Sequence, residues 1–429
     1  MSHRSRTVAA ALVAAAVTVA LGGCGGGSDD GDATTARGPI TIWYSNNPEE
    51  VAWGKAMVAA WNAAHADQLV TAQEIPAGTT SEEVISAAIT GGNAPCLILN
   101  TSPAAVPQFQ RQGGLVALDS FPDGRSYLTE RSGTVIDQYR SADGKFYQLP
   151  WKANPVMIFY NRQLFARAGL DPANPQLRSY ADVLTAARRL VASRAAPVAI
   201  WPAPTSEFFQ SWFDFYPLYA AETGGRQLVE QGRPTFDSDA GRAVAGFWRT
   251  MYAEGLASRE KYTGDAFADG RSAMAIVGPW AVAVYQNKVD WGAVPVPTAA
   301  GRDPAATWTF SDAKNIAMYS ACRNRATAWD VLKFATSPEQ DGKFLAGTGQ
   351  MPMRHDLTTS YAGYFAEHPA YRQFADQAAR TVEVPNIPGS IKVWQTFRDA
   401  WTSSVVSGGT DPAKALATAA DAVAKQVNG

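Results

Sequence analysis

Between Ile40 and Leu99 the chain alternates between two hydrophobic periods, and that alternation limits the fold more than any other feature. Ile40 to Tyr44 (ITIWY) reads as a short buried strand. Pro48-Glu49-Glu50 then opens a helix, with two acids where the helix dipole favours them. Val51, Met57, Val58 and Trp61 recur at helical spacing behind it. Gln68 to Ile75 reads as a second strand. Ser81-Glu82-Glu83 starts another helix that Gly91-Gly92 ends, and Cys96 to Leu99 is a third strand. Strands joined by helical crossovers lie side by side and point the same way. The expected class is therefore α/β, a lobe built on a mainly parallel sheet flanked by helices.

The same grammar continues downstream. Asp143-Gly144 marks a turn, followed by an extended run through Tyr160 and a helix from Arg162 to Gly169. Ser179 to Ser193 reads as an amphipathic helix. The segment "SEFFQSWFDFYPLYAAETGG" is unusually aromatic and helical in pattern, and Phe208, Phe209, Trp212, Phe213 and Phe215 fall at core spacing. Asp239 and Gly255 bracket a further helix. "ADGRSAMAIVGPW" reads as a turn, a buried strand and a tight Gly278-Pro279 turn presenting Trp280. Asp411 caps a last helix with Pro412 in its first turn.

The N-terminus carries a different signal. Arg4 and Arg6 precede a run from Val8 to Leu21 that is apolar except for Thr18. This is shorter than the roughly 20 residues that span a bilayer as a helix, so it reads as a processing signal. Leu21-Gly22-Gly23-Cys24 resembles the lipobox of bacterial lipoproteins. That resemblance implies cleavage before Cys24 and a diacylglycerol on its thiol. The expected division is a signal peptide over 1–23 and a flexible tether over 24–37, where glycines and Asp29 to Asp32 offer no apolar face. The basic residues number 37, two of them in the leader, against 39 acids, and no basic patch points to nucleic acid. Cys96 and Cys322 remain, and outside the cytoplasm the pair is open to oxidation or to burial as two thiols.

Five segments in order resemble the family 1 extracellular solute-binding proteins, the carbohydrate-binding lipoproteins of ATP-driven (ABC) importers, with the fold of maltose-binding protein. They are "YQLPWKANPVMIFYNRQLFARAGLDP", "FADGRSAMAIVGPW", "AKNIAMYSACRNRATAWDVLKFATSPE", "GTGQMPMR" and "GGTDPAKALATAADAV". The resemblance implies a two-lobe clamp, periplasmic-binding-protein-like, whose chain crosses between lobes three times. The crossings fall near Ala153 to Pro155, Ser311 to Lys314 and Gln350 to Arg354. Lobe one would hold 38–152 and 313–351, and lobe two 153–312 and 352–429. The ligand would sit between them where strand ends converge. In such lobes the strand after the second crossing, Asn315 to Tyr319, runs antiparallel beside Cys96 to Leu99. This brings Cys322 to Cys96 and implies a disulfide.

A sugar offers apolar C–H faces to aromatic rings and hydroxyls to paired polar groups. Trp280 and Trp151 are the candidate stacking rings, each against an alternative of ordinary packing. Tyr44, with Asn46 and Asn47 after it, ends the first strand; the alternative for the asparagines is turn-making and capping. Asn100, Thr101 and Ser102 follow the third strand in the same way. Asp312 either accepts hydroxyl hydrogen bonds or organises the hinge. Arg354 lies where the family places a ligand contact, and Glu207 either faces the cleft or serves a helix dipole.

The mature chain's histidines, His65, His355 and His368, form no metal motif, and no phosphate-binding glycine loop or nucleophile elbow is present. No cofactor and no catalytic set is expected. The expected function is a monomeric, lipid-anchored receptor on the extracytoplasmic face of the membrane that hands a small carbohydrate to a permease. A glycerophosphodiester or polyol receptor of the same fold is the alternative, and would need Lys152, Lys314 or Arg354 for phosphate. An extracellular glycosidase would need paired carboxyls in the cleft.

Overall fold

The computed structural model describes residues 33–428, apart from 46, 78–79, 202–212, 286 and 388. In chain order the strands are β1 (Ile40–Tyr44), β2 (Val70–Glu74), β3 (Leu97–Thr101), β4 (Leu149–Ala153), β5 (Met157–Asn161), β6 (Val198–Ile200), β7 (Val229–Glu230), β8 (Arg233–Pro234), β9 (Ser272–Val277), β10 (Trp291–Val294), β11 (Thr309–Phe310), β12 (Lys314–Met318), β13 (Met351–Pro352) and β14 (Thr381–Val382). One sheet has the order β13-β4-β12-β3-β1-β2 and a second the order β10-β5-β9-β6. Each forms the centre of one lobe. The chain passes from the first sheet to the second between Ala153 and Met157, returns between Phe310 and Lys314, and leaves again after Pro352.

Both sheets are mixed, which corrects the mainly parallel expectation. β1 pairs in parallel with β2 and β3, and β6 with β9. The strands beside the crossings run the other way: β12 is antiparallel to β3 and β4, β13 to β4, and β5 to β9 and β10. A strand entering a lobe directly from its neighbour, with no helical crossover, arrives from the opposite end and must pair antiparallel. The extended run expected through Tyr160 is accordingly two strands in two different sheets.

Side-chain caps fix where the helices begin. Asn47 accepts from the Glu50 N–H to start Pro48–Ala64, and Thr80 from Glu83 to start Ser81–Thr90. Ser179 forms a full capping box with Asp182 ahead of Tyr180–Ala192. Asp411 accepts from the Lys414 N–H at 3.0 Å. Gly278-Pro279 leads straight into a helix, Trp280–Tyr285, rather than an isolated turn. Phe213 and Phe215 lie in the core of lobe two as expected; Phe208, Phe209 and Trp212 fall outside the described residues. Ala36 and Arg37, expected in the tether, are held instead: the orphan Ala326 N–H at the start of Arg325–Ala335 donates to the Ala36 carbonyl, and Arg37 pairs with Asp330. No described helix is long and apolar enough to cross a membrane.

Cys96 and Cys322 form a disulfide, with Cα atoms 4.5 Å apart. The antiparallel arrival of β12 beside β3 brings them together, and the Tyr319 N–H donates to the Cys96 carbonyl. The bridge closes a sequence separation of 226 residues. Its removal in a Cys96→Ser/Cys322→Ser protein is expected to cost about 4 kcal/mol, mainly by freeing the unfolded chain. Denaturant midpoints measured on both proteins check this; coincident midpoints would contradict it.

Candidate ligand-binding cleft

β1 and β3 end on the cleft side of lobe one, and β6 and β9 on the cleft side of lobe two. The crossings form the floor. There the Asp312 N–H donates to the Asn154 carbonyl at 3.1 Å and the Asn154 amide donates back to the Asp312 carbonyl at 3.0 Å. This pairing straps the first and second crossings together. Side chains of Asp312 and Lys314 pair at 2.9 Å and are 28% and 24% exposed, so both remain open to a ligand. Burial pulls the Lys314 ammonium down, but Asp312, Glu82 and Glu383 outweigh it and hold its pKa above the ordinary value.

The walls come from one helix of each lobe. Ser81–Thr90 contributes Glu82, Glu83 and Ser86, and Ser390–Trp401 faces it with Ile391, Gln395 and Arg398. The groove between them has a volume of about 850 Å³. Arg398 is paired with Asp399. Paired charges of this kind can both donate to and accept from hydroxyls without leaving a bare charge behind.

Lobe two adds an aromatic pocket of about 180 Å³ that includes Trp201, Phe213, Tyr262 and Trp280. Trp201 follows β6 and Trp280 follows β9, so the parallel pairing of those strands brings both rings to one end of the sheet. Trp280 meets Phe213 edge-on at 6.1 Å, and Trp201 meets Tyr262 edge-on at 5.1 Å. Gly278 is required here, because a Cβ on it would fall 2.0 Å from the Trp280 ring. Trp280 keeps only partial burial and so retains an open face.

A buried polar layer supports the floor. Glu50 accepts from Lys152, from Ser45 at 2.6 Å and from Gln350 at 2.7 Å. Burial pushes the Glu50 carboxyl up, yet Lys152 and these hydrogen bonds hold it below its usual range. Burial pulls Lys152 down against the attraction of Glu50. Across the lobes, Tyr139 donates to Glu383 at 3.2 Å. Burial raises the Glu383 carboxyl to about 8, against the pull of the Val384 N–H and Lys314.

A carboxyl whose folded pKa is raised keeps its proton in the native state after the unfolded chain has lost it. Stability therefore falls as pH climbs from the unfolded value of about 4.3 toward 8. Asp214, raised by burial to about 7, acts in the same direction. Glu383→Gln is expected to be more stable than the wild type by about 4 kcal/mol at pH 8 and by only about 1 kcal/mol at pH 5. Urea unfolding at the two pH values measures this, and a gap that does not widen with pH would count against a protonated Glu383.

The residues singled out from sequence separate into groups. Trp280, Asp312 and half-buried Asn100 lie at the cleft with side chains partly open. Trp151 is a correction: it is 1% exposed, packed 5.5 Å from Trp53 and 4.7 Å from Phe344, so neither face can take a sugar. Tyr44 is buried as well, because the helix residue Gly54 lies directly against its ring. Thr101 is consumed by the Ile98 carbonyl and Tyr319, and Ser102 is buried beside it. Asn47 is the helix cap.

Arg354 binds Asp341 at 3.4 Å and Asp356 at 3.0 Å; its guanidinium is occupied by these two carboxylates at the third crossing, which corrects its expected place at the ligand. Asn46, Glu207 and Cys24 fall outside the described residues. Sequence reasoning missed Trp201, Gln395 and Arg398, and read Glu82 and Glu83 only as the start of a helix. A tryptophan directly after the strand "VAI" was the available signal for Trp201, as it was for Trp280 after "AIV".

Comparison with known proteins agrees with this architecture. The chain is 24% identical over 324 residues to the maltodextrin-binding protein MdxE of Bacillus subtilis, covering 71% of this chain and 70% of that protein. It is 24% identical over 385 residues to the diacetylchitobiose binding protein DasA of Streptomyces coelicolor, covering 85% and 86%. The crystal structure of UgpB from Mycobacterium tuberculosis in complex with glycerophosphocholine superposes with a TM-score of 0.76 at 22% identity, covering 91% of this chain and 98% of that one. Residues 44–342 match the family model described as bacterial extracellular solute-binding protein. With two sheets, short crossings and a cleft between the lobes, the chain belongs to the bacterial extracellular solute-binding protein family.

Proposed function

We propose that this chain is the receptor of an ABC importer that captures a small carbohydrate in the inter-lobe cleft and delivers it to a membrane permease. It acts as a monomer held to the extracytoplasmic face of the membrane by lipid on Cys24. The lobes divide as the sheets do, near residues 153, 312 and 352.

The observation that carries the ligand class is the matching of charges. Lys152 is paired with Glu50, Lys314 with Asp312, and Arg354 with Asp341 and Asp356. A phosphate held in water-poor surroundings calls for cations free to neutralise it. Charges already paired, together with the partly open Trp280 ring, suit a neutral ring of hydroxyls and C–H bonds. The names of MdxE and DasA support a saccharide, whereas the glycerophosphocholine bound by UgpB supports the phosphodiester alternative.

A thermal-shift screen of the soluble chain against maltodextrins, chitooligosaccharides, galactooligosaccharides and glycerophosphodiesters tests the reading. A bound ligand at 100 times its Kd adds about 2.7 kcal/mol of stability. A shift with a sugar and no turnover of it is expected. A shift confined to glycerophosphodiesters, or release of cleaved sugar, would replace the proposal. Replacement of Cys24 by alanine should release the protein from membranes, and retention would contradict the anchor.

A further inference from the structure

A large groove lies away from the cleft. At the hinge end of lobe two, Met157 of β5 pairs with Val277; Tyr160, three residues further along the strand, pairs with Met274 and Gly292. At about 3.3 Å per residue this carries β5 and its edge neighbour β10 roughly 10 Å away from the crossing. There a groove of about 1080 Å³ runs along β10, walled by the 173–178 loop and by Pro369, Ala370 and Gln373. The proposed sugar site uses none of these residues.

Two properties of this groove combine. The first is an open sheet edge. Among the described residues β10 is the outermost strand of its sheet and pairs only with β5. The Arg162 N–H donates to the Asp290 carbonyl at 2.8 Å. Antiparallel ladders alternate bonded and non-bonded pairs, so Gly292 and Val294 face β5. Trp291 and Ala293 therefore turn their N–H and C=O groups toward the groove. Both are only half-buried.

The second property is charge. Arg162, Arg178, Lys288 and Arg302 line the groove against a single carboxylate, Asp290, which Arg162 already holds at 3.1 Å. Arg178, Lys288 and Arg302 are exposed. On a chain of net charge -2 this is a local excess of positive charge. Cations at a sheet edge commonly guard it against other copies of itself. The same charges that repel an identical edge attract an acidic one, and the concave shape suits an extended chain better than a flat membrane.

We propose that this groove receives an extended acidic peptide segment of a partner polypeptide, which adds to β10 as a further strand. Main-chain bonds to Trp291 and Ala293 supply the pairing, and Arg178, Lys288 and Arg302 select carboxylate side chains.

A nine-residue peptide of alternating valine and glutamate, titrated calorimetrically into the full chain, tests this directly. Binding is expected to weaken as salt rises, to fall at least about tenfold in an Arg178→Glu/Lys288→Glu protein, and to slow amide exchange at Trp291 and Ala293. N-methylating alternate residues of the peptide should abolish binding to the unaltered protein, a control that needs no variant to fold. Four results would overturn the proposal: no binding at millimolar peptide, equal binding of the valine–lysine peptide, equal binding of the N-methylated peptide, or uptake of the protein by phosphatidylglycerol vesicles with the same sensitivity to charge reversal.

Discussion

Replacing Asp341 by alanine is expected to destabilise lobe one by about 3–5 kcal/mol, the usual consequence of removing one partner from a buried ion pair. Asp341 and Arg131 are both buried, and the Arg131 guanidinium donates to both carboxylate oxygens at 3.0 Å. Burial pushes the Asp341 carboxyl up, and Arg131 and Arg354 oppose that by favouring its charge. Arg131 also donates to the carbonyls of Pro150 at 2.6 Å and Met353 at 2.9 Å. It thereby ties β4 to the chain leaving β13, so the first and third crossings are knotted at one cation. Without Asp341 that cation is left buried without its bidentate partner. An Arg131→Met/Asp341→Leu protein removes both charges and should recover much of the loss. Equilibrium unfolding by denaturant measures the difference, and an Asp341→Ala cost below about 1 kcal/mol would show that the network contributes little.

Trp280→Ala is expected to weaken ligand binding by about 30-fold, the equivalent of about 2 kcal/mol and the scale of a buried aromatic anchor. The ring lies against Phe213 on one side and opens to the pocket on the other. Truncation removes a stacking face while the sheet beneath keeps its pairing. Stability should therefore change much less than affinity. Calorimetric titration with the sugar selected by screening reads the loss; an unchanged Kd would remove Trp280 from the site.

The fold was legible where local signals and global topology agree. Pro48-Glu49-Glu50 and Ser81-Glu82-Glu83 start helices because caps and dipoles act within a few residues. The antiparallel strand that joins Cys322 to Cys96 followed from the family resemblance, since only the crossing fixes its direction. Strand direction elsewhere was read too simply, because pattern tells that a segment is extended but not from which lobe it enters.

The site was less legible. Trp151 and Trp280 look alike in sequence, each flanking a turn or crossing. One lies under Trp53 and Phe344 and the other over Gly278, a difference set by helices far away in the chain. Glu82 and Glu83 occupy the first turn of a helix, where a dipole partner and a cleft wall have the same sequence signature. Only the approach of Ser390–Trp401 from the other lobe makes them a wall. Arg354 was expected at the ligand, but Asp341, thirteen positions earlier, claims its guanidinium.

The central claim is that one ligand is held by both walls at once. Calorimetric titration of that sugar into Glu82→Gln, which alters lobe one, and Trp280→Ala, which alters lobe two, tests it most directly. The account predicts that each variant binds at least about tenfold more weakly than the wild type, a cost of about 1.4 kcal/mol or more per wall. Wild-type affinity in either variant would place the ligand on one lobe alone and contradict capture between them.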